Sequence, residues 1–335
     1  MSISPILLMG GSGEIGRLTA KALRLQHPDV PLLIGGRSKP RAQQVASALG
    51  NAEAVIIDPR AEDLGLGDRP IAAVAVFYAD ERLSGLRYAH TRGIAHLSIS
   101  SGIYEIAPEV AIHMQRPDAA PIVLGYEWMV GATTVATLTA AKAFARIDSI
   151  RIGALIDDEE QGGPAVAEDF ERLATVMPSV LARSDDAYVW RSREAAGCEF
   201  RAIDGTAITA SGFSSIDIAG LAAVTGARDI TFAIGTGISS SRRAGRAKST
   251  EILIELTGID AANAPLRSRH AVFHPGGAAP LTAIGVSMLI ERLTGLDGNP
   301  ATKPGLYFPY QVLDHAAYLA RLEQDGGTLM TLSLA

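Results

Sequence analysis

Cysteine is all but missing: Cys198 is the only one in 335 residues. One thiol cannot close an internal disulfide and leaves no Cys-rich metal site, so a reducing, cytoplasmic setting is expected. Cys198 itself reads as a buried structural thiol, because no base or cationic surrounding stands in obvious register with it. No apolar stretch reaches the ~18 residues that a membrane span needs. The N-terminus has neither the basic n-region nor the cleavage site of a signal peptide. Positive charge is scattered and the net charge is −6, which argues against nucleic acid or an anionic membrane as partner. Lysine is scarce, with only Lys21, Lys39, Lys142, Lys248 and Lys303. None of the eight tyrosines has a lysine four residues later, which removes the tyrosine–lysine pair of short-chain reductases. No cysteine–histidine cluster could hold a catalytic zinc, and no metal site is expected.

What is present is concentrated at the start. The apolar run Ile6-Leu7-Leu8-Met9 leads into Gly10-Gly11-Ser12-Gly13-Glu14-Ile15-Gly16, and a helical pattern through Ile15, Leu18, Ala22 and Leu25 follows. Strand, glycine turn and helix in this order form a dinucleotide-binding fingerprint. One glycine makes the turn, one lets the backbone approach a diphosphate, and one lets the helix pack on the strand. The diphosphate would sit at the helix N-terminus, where N–H groups and the dipole favour negative charge.

The second apolar run, Pro31–Ile34, ends in Gly35-Gly36-Arg37-Ser38. An NAD site would carry Asp or Glu about 20 residues past the glycine turn, to bond the ribose 2′-hydroxyl. Arg37 stands there instead. A guanidinium fork suits a 2′-phosphate, and Ser38 can add a hydrogen bond, so Gly36, Arg37 and Ser38 point to NADP(H).

Strands and helices alternate over about the first 125 residues. Strands are expected at Ala54–Ile57, Ile71–Phe77, His96–Ile99 and Ile122–Leu124, with helices over Pro40–Leu49, through Leu83, Leu86 and Ala89 to Gly93, and from Pro108. The continuous apolar runs fit a parallel sheet buried on both faces. Asp58, Phe77 and Tyr78 end strands at the edge where ligands of such a sheet sit, although an aspartate at that place also starts turns. After Gly131 the texture changes. A helix is expected over Ala132–Phe144, then β-rich runs at Ser149–Ile156, Glu199–Thr209, Asp229–Gly237 and Thr250–Thr257, with a helix at Val166–Thr175. Helices Leu281–Leu293 and Tyr310–Leu322 close the chain. The expected fold class is α/β: a Rossmann-type doubly wound parallel sheet with a second α+β domain on a mostly antiparallel or mixed sheet.

The reacting group is hardest to read. Gly125-Tyr126-Glu127-Trp128-Met129-Val130-Gly131 follows the last strand of the first domain. Tyr126 could donate to a carbonyl or imine centre, and Glu127 could bind an ammonium or trade a proton; equally, Tyr126 and Trp128 could be packing residues and Glu127 could pair with an arginine. Ser239 to Lys248 holds four cations that could close over a carboxylate or phosphate, or form a solvated loop. His274 could act in acid–base chemistry but reads better as a satisfied structural residue. Asp157, Asp158, Glu159 and Glu160 read as a solvated acidic turn.

Together, Ile6–Gly16, Gly35–Ser38, Gly93–Ser100, and Leu281–Gly295 with Pro304–Pro309 resemble the saccharopine dehydrogenase-like family of NAD(P)-dependent oxidoreductases. The resemblance implies a Rossmann domain of residues 1–125 plus 279–335, with returning C-terminal helices. It places a substrate and dimerisation domain at 126–278, and implies a homodimer acting on a small molecule. It also implies reduction of a C=N bond, or oxidation of an amine, on an amino-acid-like substrate. Carbonyl or enoyl reduction, or a catalytically silent NADP(H)-binding protein, are the alternatives. Two departures fall near the expected substrate. Ser98 stands where the family often has aspartate, and Gly125-Tyr126-Glu127-Trp128 replaces a Gly-x-x-Pro-Gly-like turn.

Overall fold

The computed structural model describes residues 4–160, 171, 172, 175, 179–192 and 194–334. The described residues up to Tyr126, together with Thr282–Leu313, form one compact unit. Those from Glu127 to Leu281 and from Asp314 onward form a second.

In the first unit the elements run β1 (Ile6–Met9), α1 (Glu14–Gln26), β2 (Leu32–Gly36), α2 (Lys39–Leu49), β3 (Ala52–Ile56), β4 (Ala73–Val76), α3 (Ser84–Arg92), β5 (Ala95–Ser98), α4 (Ala107–Gln115) and β6 (Pro121–Leu124). All pairings are parallel, in the order β6-β5-β4-β1-β2-β3, and the late strand Gly305–Tyr307 extends the sheet beside β6. This is the doubly wound arrangement, with the strand order reversing beside β1. Its central strands are buried throughout: no residue of β1 or β4 exceeds 1% exposure. That explains the unbroken apolar runs, since helices cover both faces of such a sheet.

The second unit contains α5 (Ala132–Ala141), β7 (Arg146–Asp157), β8 (Ser179–Ser184), β9 (Ala187–Ser192), β10 (Gly197–Arg201), β11 (Ala207–Gly212), α6 (Asp217–Thr225), β12 (Asp229–Gly237), α7 (Ser240–Arg243), β13 (Thr250–Ile259) and β14 (Pro265–His274). After these the chain forms α8 (Ala278–Thr294), β15 (Gly305–Tyr307, the added strand of the first sheet), α9 (Pro309–Val312), α10 (His315–Gln324) and β16 (Thr328–Leu332). The sheet order is β10-β11-β12-β7-β13-β14-β16, with β8 on β12 and β9 on β8. Only β12–β7 is parallel. The fold class is thus α/β with a mixed second sheet.

Several expectations need correction. The run Glu199–Thr209 is not one strand but the hairpin β10–β11. Gly205 (φ +85°) and Asp204, which accepts from the Thr206 N–H at 3.0 Å, make its turn. The helix expected over Tyr310–Leu322 breaks at Leu313-Asp314, because Asp314 caps α10 by accepting from the Ala317 N–H at 2.8 Å. The C-terminal residues do not all group with the first unit: those from Asp314 onward belong to the second, where β16 pairs with β14. Glu171, Arg172 and Thr175 are helical; the rest of the helix expected at Val166–Thr175 lies outside the described residues. Cys198 is exposed rather than buried, because β10 ends the sheet.

Candidate functional site

The glycine turn is built as its spacing requires. Gly10 takes φ +85°, and its N–H donates to the Gly35 oxygen at 2.8 Å, tying the ends of β1 and β2. The Gly11 N–H donates to Leu8 O at 3.0 Å and the Gly13 N–H to Gly10 O at 2.9 Å. A Cβ on Gly16 would lie 2.7 Å from both Gly10 O and the Gly11 Cα, so only glycine lets α1 pack this close. Gly13 precedes α1 in extended conformation and contributes no capping side chain. The N–H groups of Glu14, Ile15 and Gly16 therefore open the helix without one, as an anion-binding terminus does.

Around this turn, Phe77 and Tyr78 form a wall. A Cβ on Gly10 would lie 3.0 Å from the Tyr78 ring and 3.3 Å from Phe77 Cβ. Space above Gly36 is open, with the Ser12 hydroxyl at its border. Arg37 is exposed and makes no side-chain hydrogen bond or ion pair among the described residues. Its charge reaches Tyr78, whose hydroxyl is pushed up to about 12 by burial and by Asp80, with Arg37 opposing. Ser38 precedes α2 without capping it. The Asp58 carboxylate accepts from the Arg60 N–H at 2.9 Å, and its carbonyl from Ala61 at 3.2 Å, so it starts a turn. Asp80, which sequence reasoning passed over, accepts from the Ser84 hydroxyl and the Gly85 N–H (2.8 Å) and fixes the start of α3.

Beyond the carboxyl end of β6, Tyr126 donates its hydroxyl to Glu109 on α4. Glu109 is 2% exposed and also accepts from the Ser101 hydroxyl at 3.4 Å. Burial pushes its carboxyl up to about 7, with the Tyr126 and Ser101 hydrogen bonds opposing and the Glu105 and Asp80 charges adding. Burial likewise raises the Tyr126 hydroxyl well above its ordinary range, as does the Glu109 charge, while the Ser101 and Ser98 hydroxyls work the other way. Sequence reasoning missed Glu109. In one dimension it is merely an acid in the first turn of a helix, which the dipole explains.

Glu127 belongs to the second unit, is 3% exposed, and accepts from the Thr134 hydroxyl at 2.5 Å. Trp128 donates its backbone N–H to the buried Asp217 at 2.8 Å. Its ring stands edge-on to Phe213 and Phe232, at 5.5 and 5.7 Å between centroids. Burial pushes Asp217 up to about 6, against the hydrogen bonds from Ser215 and Trp128. Met129 and Val130 both take φ +51° before Gly131 at +93°, and α5 begins at the next residue.

The remaining candidates are spent internally. Arg242 binds Asp157 (2.7 Å), Asp158 and Glu159 (3.0 Å). Arg243 binds Asp204 at 2.6 Å, and the Lys248 ammonium donates to Glu159 O at 3.3 Å. Residues 244–247 are exposed, so that part of the segment is a solvated loop while Arg242 and Arg243 are tied down. In the acidic turn Asp158 and Glu159 are exposed and Asp157, at 1%, is buried. His274 accepts from the Gly276 N–H through Nδ1 (3.0 Å) and meets Asp325 through Nε2 (3.2 Å), as a structural histidine does. Among the described residues no helix is long and apolar enough to cross a membrane.

No family model and no curated protein matches the sequence. Solved structures do match, and they define the class first. The chain has the fold of the saccharopine dehydrogenase-like NAD(P) oxidoreductases. The apo saccharopine dehydrogenase (L-Glu forming) of Saccharomyces cerevisiae aligns over 98% of this chain and 100% of its own, with TM-score 0.66 at 13% identity. The homospermidine synthase of Legionella pneumophila, solved with NAD, aligns over 100% of this chain and 92% of its own, with TM-score 0.62 at 9% identity. At these identities the likeness concerns the fold.

Proposed function

We propose that this chain is an NADP(H)-dependent oxidoreductase that transfers hydride to or from a C=N bond of a small amino-acid-like molecule. The observation that carries the reading is Arg37, a guanidinium without a partner among the described residues at the end of the strand beside a glycine turn that only glycine can form. The backbone from Gly10 to Gly16 would receive the diphosphate, and Arg37 with Ser38 the 2′-phosphate. When bound, the dinucleotide supplies the hydride chemistry. The chain's own part is the proton. Tyr126 donates to the imine nitrogen and Glu109 returns a proton to Tyr126. A carboxyl held near 7 can do this in either direction close to neutral pH. The two structures of this fold support the class, since one is named for forming L-Glu and the other was solved with NAD.

The test is fluorescence titration with NADPH and NADH, then turnover with keto acids in the presence and absence of amines. Arg37→Asp is expected to weaken NADPH by ten- to a hundredfold, as loss of a charge-assisted contact worth ~1.5–3 kcal/mol implies, and to leave NADH nearly unchanged. Equal weakening of both removes the 2′-phosphate role. Turnover that needs the amine supports the imine reading, and turnover without it redirects the chemistry to carbonyl reduction. Binding of neither dinucleotide ends the proposal.

A further inference from the structure

The first unit carries a second concave surface, which no residue of the glycine turn lines. A cleft of about 1190 Å³ lies between the segment after β3, the outer side of α3 and the end of α4. Arg60, Arg82, Arg87, Arg92 and Arg116 all line it, in a chain whose net charge is −6. Elsewhere several arginines are matched by carboxylates, among them Arg183, Arg228, Arg242, Arg243 and Arg292. In the cleft the side chains of Arg60, Arg82 and Arg87 have no hydrogen bond or ion pair among the described residues. Arg92 and Arg116 are held in place by other contacts. The Arg92 guanidinium sits 4.1 Å from the centre of the Tyr88 ring. Arg116 donates to His90 O at 2.6 Å, while His90 Nε2 donates to Arg116 O at 3.0 Å. Of the two acids lining the cleft, Asp63 accepts from the N–H groups of Gly65 (2.9 Å) and Gly67 (3.1 Å) and its charge acts on Arg92; Glu62 is the other.

Tyr88 supplies a second, independent observation. It lines the cleft, is 1% exposed and packs with Leu64, Ile71 and Val74, yet its hydroxyl has no hydrogen-bond partner among the described residues. A buried hydroxyl without an acceptor is costly and needs an explanation. A ligand oxygen would provide one.

We propose that this cleft binds a small molecule carrying a chain of phosphates, held by Arg60, Arg82 and Arg87 and accepting a hydrogen bond from the Tyr88 hydroxyl. Arginine forks favour phosphate geometry. Arg87 and Arg92 stand roughly 7.5 Å apart along α3 at ~1.5 Å per residue, with Arg82 just before its start, a spread that suits several linked anions better than one. The cleft lies along the helix layer, whereas substrates of doubly wound sheets sit beyond the carboxyl ends of the strands. A ligand there would accordingly be an effector, distinct from the redox cofactor.

Calorimetry on the full chain at about 0.15 M salt, with inorganic tripolyphosphate, adenosine triphosphate and inorganic phosphate as probes, tests this. The two triphosphates should bind and monophosphate should bind far more weakly. Equal affinity for the two assigns the free phosphate chain, and tighter binding of the nucleotide assigns a nucleoside polyphosphate. Tyr88→Phe should lower triphosphate affinity about tenfold, the loss expected for one hydrogen bond to a charged group, while the ligand-free protein melts at the same or a higher temperature. Arg82→Ala with Arg87→Ala should lower affinity at least a hundredfold. Arg37→Asp should leave it unchanged. Triphosphate affinity insensitive to Tyr88→Phe, no binding at all, or loss of binding in Arg37→Asp would each overturn the proposal.

Discussion

In the first unit Arg37 stands between β2 and α2 with no carboxylate on its guanidinium among the described residues. In the second, Arg242 and Arg243 stand between β12 and β13 and are held by Asp157, Asp158, Glu159 and Asp204. Both segments are short, basic and followed or formed by a helix. The difference comes from topology. Parallel pairing of β12 with β7 brings the Gly237 end beside Asp157, and the β10–β11 turn brings Asp204 to Arg243. No strand delivers an acid to Arg37. Whether a cation is free for a ligand is thus decided by which carboxylates the sheet order places next to it.

The largest effect that would sharpen this contrast is on stability. Arg242→Ala leaves the buried Asp157 with the Ser239 hydroxyl and the N–H groups of Glu159 and Ser239 but no ion-pair partner among the described residues, and should cost about 3 kcal/mol in urea unfolding. Both tryptophans, Trp128 and Trp190, lie in the second unit, so their fluorescence reports the loss. Arg37→Asp should change stability by no more than about 0.5 kcal/mol, and a comparable loss there would break the comparison.

A smaller effect concerns pH, and it runs in opposite directions in the two units. Burial works against ionisation of Asp157, but hydrogen bonds from Ser239, the Glu159 N–H and Arg242 prevail and bring it to about 2. Because this is below the unfolded value of about 3.9, its contribution of roughly 2 kcal/mol is present above pH ~4 and lost as pH falls toward 2. Asp157→Asn should flatten that acid limb. Glu109 is raised to about 7 from about 4.3, so the first unit loses stability as pH rises through that interval, and Glu109→Gln should remove the loss. Stability curves against pH for the two variants check both signs.

How much of this could be read in one dimension follows the same division. Strands of the first unit are continuous apolar runs closed by glycine or proline, and the nucleotide turn is a local motif, so both were visible within a few residues of their ends. In the second unit the β8–β9 hairpin was missed, although Asp185 and Asp186, both at positive φ, form a two-residue turn of the kind Asp favours. The strands β14 and β16 were missed as well. Tyr126 and Glu127 fall in one candidate segment because they are adjacent. Neighbours in extended chain point to opposite sides, and these two also belong to different units. The Glu109–Tyr126 pair spans 17 residues between a helix and a strand end, a contact that neither periodicity nor motif spacing encodes.

Val130 illustrates a balance that static inspection can mistake for a weak point. A β-branched residue in the left-handed region pays about 1–2 kcal/mol in steric conflict. The same side chain is 2% exposed, and taking a valine out of water returns about as much. Glycine at this position would relax the backbone and forfeit the packing together. Val130→Gly should therefore shift unfolding by no more than about 1 kcal/mol. Two opposing quantities of ordinary size would be concealed in that near-silence, which a melting curve of the variant can reveal only beside Val130→Ala, where the strain stays and the burial goes.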